Sequence, residues 1–192
     1  YAPQLTPLSR FRYKPNFGEK LTNIKEPCIY IYSIEDDVFI DVNHQLGSQF
    51  MENKTLGYAT FSRKGRGLFL TVYHTGPTPL AREGLSVCFN RPSSIYYIED
   101  FAAHTITPRL ITQDLYMAIG PNPSPDGERV VFVGARNRFT THITAMELYV
   151  LDPNSLAFHE VPIMGDDTWK GLFLHLHEES RSLIRWVPNA DG

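Results

Sequence analysis

Ser124-Pro125-Asp126-Gly127-Glu128-Arg129-Val130-Val131-Phe132 carries a tight turn into an apolar run. Asp-Gly supplies the turn, because glycine enters positive φ without the steric cost other residues meet. Val130-Val131-Phe132-Val133 follows it, and Tyr116-Met117-Ala118-Ile119-Gly120 precedes it. Both runs are rich in the β-branched and aromatic types that suit a pleated surface, so the phrase predicts strand, turn, strand. An earlier copy reads Tyr58–Ser62, then Arg63-Lys64-Gly65-Arg66-Gly67, then Leu68–Tyr73. The turn glycines Gly65 and Gly127 stand 127 − 65 = 62 positions apart.

Each copy continues in the same way. Ser94–Asp100 and a short His104–Thr107 strand follow the first; Ala145–Asp152, a Pro153-Asn154 turn and Ala157–Pro162 follow the second. Upstream, Cys28–Ile34, the acidic turn Glu35-Asp36-Asp37 and Val38–Val42 read as a hairpin. Downstream, Leu172–His177, Glu178-Glu179-Ser180 and Ser182–Val187 read as another strand pair. With the four strands of a unit lettered A to D, the chain reads C-D over 27–42, A-B-C-D over 58–107, A-B-C-D over 116–162 and A-B over 169–187. The third strands start their apolar cores near Ile29, Ile95 and Leu148, at spacings of 66 and 53. Residues 1–26 read as irregular, since Pro3, Pro7 and Pro15 interrupt regular structure, and no segment makes an amphipathic helix.

Four-strand repeats of this length are the mark of β-propeller blades. The expectation is therefore an all-β chain: a partial β-propeller of about three blades' worth of four-stranded antiparallel sheets, within a larger ring. Its cut blades would leave sheet edges open. A β-sandwich of similar strand count is the competing architecture.

Composition narrows the function classes. The chain has 192 residues, with 18 Lys and Arg against 21 Asp and Glu, a net charge of −3. An acidic balance without an extended basic surface argues against nucleic acid as a partner. No apolar run approaches the roughly 18 residues of a membrane span, so no membrane partner is expected. Cys28 and Cys88 form no disulfide framework or zinc pattern, and both read as buried small apolar residues. They fit a reducing compartment, and the expected location is cytoplasmic.

The Ser-Pro-Asp-Gly phrase resembles the strand–turn–strand of TolB-like and WD40-like propellers. A narrower resemblance lies in Ser86-Val87-Cys88-Phe89-Asn90-Arg91-Pro92-Ser93-Ser94-Ile95-Tyr96-Tyr97-Ile98. This run resembles acylaminoacyl-peptidases, in which a Cys–small–Asn–Arg run leads into a strand ending in a Tyr-Tyr pair. Phe17-Gly18-Glu19 before Cys28–Glu35, and Thr107-Pro108-Arg109-Leu110 afterwards, resemble further steps of that family in the same order. The stretch Ile111–Pro123 is longer than the family's pattern. The resemblance implies a prolyl oligopeptidase-type serine hydrolase that releases N-acylated, typically N-acetylated, amino acids from short peptides. It implies an N-terminal propeller whose partner is a C-terminal α/β-hydrolase domain of the same protein, and it leaves homo-oligomerisation open. No cofactor is implied. A TolB/WD40-like scaffold binding protein partners is the alternative.

Chemistry within the chain is sparse. The Gly-x-Ser-x-Gly elbow that exposes a nucleophilic serine is absent, so no catalytic residue is assigned. His44, His74, His104, His142, His159, His175 and His177 are scattered. His175 and His177 alternate on one expected strand but lack a third metal ligand. Asp36-Asp37, Asp166-Asp167 and Glu178-Glu179 read as turn residues, and Arg63-Lys64-Gly65-Arg66-Gly67 as a solvated tip. The long His74–Ser93 loop is the most functional-looking segment, with Arg82, Glu83 and Arg91 able to line a peptide route, though packing onto a neighbouring domain explains them equally. No catalytic, cofactor-binding or metal residue is named.

Overall fold

The computed structural model describes residues 27–63, 65–75, 91–137, 146–162 and 184–187. Among them the chain is mostly β, with three antiparallel sheets and one helix, and no sheet closes on itself. The first sheet is the hairpin β1 (Tyr30–Ser33) and β2 (Val38–Asp41). The second runs in the order β3 (Lys54–Phe61), β4 (Leu68–His74), β5 (Ser93–Ile98), β6 (Arg109–Leu110). The third repeats this order with β7 (Met117–Pro123), β8 (Val130–Ala135), β9 (Glu147–Leu151) and β10 (Phe158–Val161).

The turns form for local reasons. Ser124 N donates to Arg129 O and Gly127 N to Ser124 O, with Gly127 at φ 74. The Asp126 carboxylate accepts from the Ser124 hydroxyl at 2.5 Å and from Glu128 N at 2.9 Å. Those hydrogen bonds, the hydroxyl first, hold its pKa below the usual carboxylate range. At the acidic turn, Asp37 accepts from Tyr32 Oη and Asp36 from Ser33 Oγ.

The second and third sheets share one register. A shift of 62 carries Thr55↔Tyr73, Leu56↔Val72, Thr60↔Phe69 and Phe61↔Leu68 onto Met117↔Ala135, Ala118↔Gly134, Asn122↔Val131 and Pro123↔Val130. A shift of 53 on β5 then carries its pairing with β4 onto that of β9 with β8: Leu70↔Tyr96 becomes Phe132↔Tyr149. Both first strands carry an extra residue, between Leu56 and Ala59 in β3 and between Ile119 and Asn122 in β7. Such bulges bend the strand and sharpen its twist.

Apolar side chains alternate between two layers. Leu68, Leu70, Val72, Tyr96 and Ile98 of the second sheet meet Ile31 and Ile40 of the hairpin. Phe69 and Ile95, on its opposite face, meet Ala118, Val130, Phe132, Tyr149 and Leu151 of the third sheet. Polar atoms close the seam: Ser93 Oγ donates to Ala118 O (3.0 Å) and accepts from Ala118 N (3.3 Å), and Gly120 N donates to Thr71 Oγ1 (3.2 Å).

Several expectations are corrected. A helix, α1 (Val42–Met51), occupies the connection before β3, so the described residues are not all-β. Asp41 caps it by accepting from His44 N, Val42 and Leu46 are buried, and Phe50 and Met51 pack onto the same core. Gly47 at φ 75 breaks it into two turns, which hid the pattern. The fourth strand of the second sheet is Arg109–Leu110, not His104–Thr107, because Asp100 accepts from Ala102 N and holds a turn there while Ile106 enters the core. β3 starts at Lys54, ahead of the expected Tyr58. Ile184–Val187, expected in a strand, have none; Asn122 Nδ2 donates to Ile184 O, and Trp186 Nε1 to Asn122 O, which holds them beside β7. Cys28 is exposed, since it continues the outward alternation of Tyr30 and Tyr32. Residues 1–26, Cys88 and the strand expected at Leu172–His177 lie outside the described residues.

Removing the Thr71 hydroxyl tests the seam. Thr71→Val removes the acceptor of the part-buried Gly120 N–H and is expected to cost about 1 kcal/mol of unfolding free energy, read from urea curves, with Thr71→Ser restoring most of it. Gly120→Ala is expected to cost about 1–2 kcal/mol by strain alone: φ is 67 and nothing lies within 4 Å of an added methyl.

Candidate functional site

Antiparallel order puts the links after β1, β3, β5, β7 and β9 at one end and those after β2, β4, β6 and β8 at the other. That end gathers α1, His74 at the close of β4, Arg91-Pro92 before β5, the 111–116 connection and Arg136 after β8. Ser93 N donates to Tyr116 O, and Tyr116 N to Ala135 O, so three of these meet. This end is the strongest candidate for a functional surface among the described residues, since His74, Ser94 and Lys54 converge there.

Its polar centre is His74, Ser94 and Lys54. Lys54 pairs with His74 across β3 and β4, and His74 Nε2 lies 3.2 Å from Ser94 Oγ. Burial first, then the nearby Lys54 charge, holds the His74 imidazole below the usual histidine range. Lys54 Nζ donates to Phe50 O at 2.9 Å and sits 5.0 Å from the Phe50 ring centroid, which ties α1 to this end. A second group lies at the end of β8, where Arg136 is 3.6 Å from Glu160 and 5.9 Å from the Tyr149 ring centroid. The Tyr149 hydroxyl donates to Glu147, and burial followed by that carboxylate pushes its pKa far above the usual tyrosine value.

A serine beside a histidine invites comparison with a hydrolytic dyad. Ser94 is buried within β5, and among the described residues no carboxylate is hydrogen-bonded to His74. The pair therefore lacks both the exposed hydroxyl and the orienting acid of a triad. Among the described residues no cluster of three His, Cys, Asp or Glu side chains could hold a metal ion. No helix among them is long and apolar enough to cross a membrane.

The residues singled out in the sequence are dispersed. Arg91, two residues before β5, is 2% exposed, so it does not line an open route. Arg82, Glu83, Asp166-Asp167, Glu178-Glu179, His142, His175 and His177 lie outside the described residues. Arg63 and Arg66 are exposed on the β3–β4 turn, and His44, His104 and His159 are exposed and apart. The sequence reading passed over the His74–Ser94–Lys54 group, because three residues spread over 40 positions meet only through strand register. His74 closing the apolar run Leu68–Tyr73 was the one local signal. No protein-family model matches this chain, and no curated protein matches it.

The lowered His74 pKa sets a direction with pH. The folded state holds a more weakly basic imidazole than the unfolded chain, so its contribution to stability is complete above about pH 6.5 and is lost as pH falls through the folded value. Urea midpoints measured from pH 8 down to 5 are expected to fall, and His74→Gln is expected to flatten that slope.

Proposed function

We propose that the chain is the propeller section of an acylaminoacyl-peptidase-type serine hydrolase. The observation that carries the propeller reading is the shared register: two consecutive four-stranded units, superimposed by shifts of 62 and 53, each with an extra residue in its first strand. Propellers are built by such radial repetition, and side-by-side sheets bury the faces each unit leaves open.

The hydrolase reading rests on the motif run. Two of its pieces are partners in one sheet: the Tyr96-Tyr97 pair on β5 is in register with Leu110 and Arg109 of the Pro-Arg-Leu step on β6. That pairing makes the two pieces parts of one structural unit, as their order in the resembled family implies. The lack of a Gly-x-Ser-x-Gly elbow in this sequence fits a non-catalytic section.

In this reading the section shapes a chamber that admits short N-acylated peptides and excludes folded proteins. Acyl transfer to serine, with histidine as base and an oxyanion hole, belongs to the partner α/β-hydrolase domain of the same protein. The end around His74, Lys54 and α1 is the surface that would meet that domain. The proposed location is cytoplasmic.

Treating the native protein with a fluorophosphonate probe is expected to label a serine in the polypeptide that carries this sequence. N-acetylated peptide esters are expected to be cleaved at least about tenfold faster than their free-amine counterparts. Absence of label on the folded protein would reject the hydrolase and leave a propeller scaffold.

A further inference from the structure

Tyr30, Tyr96 and Tyr149 occupy one position of the repeat. The shift of 53 places Tyr96 on Tyr149 and Ile98 on Leu151. The hairpin joins at a shift of 66, because Val42 N donates to Ile29 O (3.0 Å) as Ile111 N donates to Ile95 O (2.9 Å). Ile29 then stands on Ile95, Tyr30 on Tyr96 and Tyr32 on Ile98.

The fates of these side chains differ. Tyr96 and Ile98 are buried against the hairpin, and Tyr149 and Leu151 against the second sheet. Tyr30 is 57% exposed and Tyr32 45%, while Phe39, its ring tilted against Tyr32 at 4.7 Å, is 69% exposed. Ile31 and Ile40, between them in the strands, turn inward to the second sheet. The hairpin thus shows to solvent the one face that both other sheets bury. Contiguous exposed apolar faces of this kind mark interfaces.

We propose that the outward face of the hairpin, formed by Tyr30, Tyr32 and Phe39, is an internal interface of the native protein, covered by a further antiparallel sheet of the same polypeptide. The two observed interfaces specify its chemistry. The covering sheet offers apolar side chains at this face, as the second sheet offers Phe69 and Ile95 to Tyr149. Continuity with that stack selects a sheet over a helix or a second copy. The inference rests on the propeller half of the proposed function and not on its hydrolase half.

A photoreactive benzoylphenylalanine placed at Tyr32 in the full-length native protein tests the occupant. Irradiation is expected to give a cross-link within one polypeptide, to a peptide outside residues 27–162. A cross-link to a second copy or to an unrelated protein, or none above the level of the unfolded chain, overturns the proposal. Phe39→Arg, with its charge forced into the interface, is expected to lower the melting temperature by about 5 °C or more. An unchanged melt overturns the proposal, since a solvent-facing arginine there would be harmless. An internal cross-link without fluorophosphonate labelling would keep the interface and reject the hydrolase.

Discussion

A strand at the edge of a sheet directs half of its backbone N–H and C=O groups away from its single neighbour. Burying them without partners costs about 1–3 kcal/mol each. β7 is such a strand, and it lies against the second sheet. The hydroxyls of Ser93 and Thr71 resolve the conflict: one serves both backbone groups of Ala118, and the other accepts from the bulged Gly120. Both hydroxyl residues are fully buried. The third sheet can sit where it does because two small polar side chains stand inside an otherwise apolar face.

The apolar layers follow from that seating. With Ala118 pinned to Ser93, the alternation along β8 and β9 sends Phe132, Tyr149 and Leu151 toward Phe69 and Ile95. Met117, Ile119 and Val133 turn to the opposite face and join Tyr73 and Met146. A slip of one residue would exchange the two sets, since side chains alternate with a period of two. The bulge in each first strand keeps the register while bending the strand across its neighbour.

Turns and strand cores were legible because their causes are local. Asp126-Gly127, Glu35-Asp36-Asp37 and Asp152-Pro153-Asn154 each carry the side-chain acceptors that close them, and each lies where the pattern put it. The Asp41 cap and the Val42, Leu46, Phe50 spacing of α1 were also present in the sequence, but Gly47 breaks the helix in its middle and masked them. β6 was misplaced because the choice between His104–Thr107 and Arg109–Leu110 depends on the partner β5, which local residues do not reveal. Arg91 read as an exposed loop residue because a buried charge is identified only by what surrounds it.

The amino-acid sequence by itself determined the alternation of strand and turn, the repeat at 62 and 53 positions, and the lack of a nucleophile elbow. Each of these depends on residues close together along the chain, where turn chemistry and side-chain alternation act directly. Only the tertiary structure decided which face of each strand is buried, that Ser93 and Thr71 hold the seam, that His74, Ser94 and Lys54 converge, and that Tyr30 is exposed while Tyr96 and Tyr149 are not. Those outcomes depend on pairing between distant residues. A hydroxyl in a strand becomes a structural tie, and an aromatic side chain a core residue, only when another sheet arrives beside it.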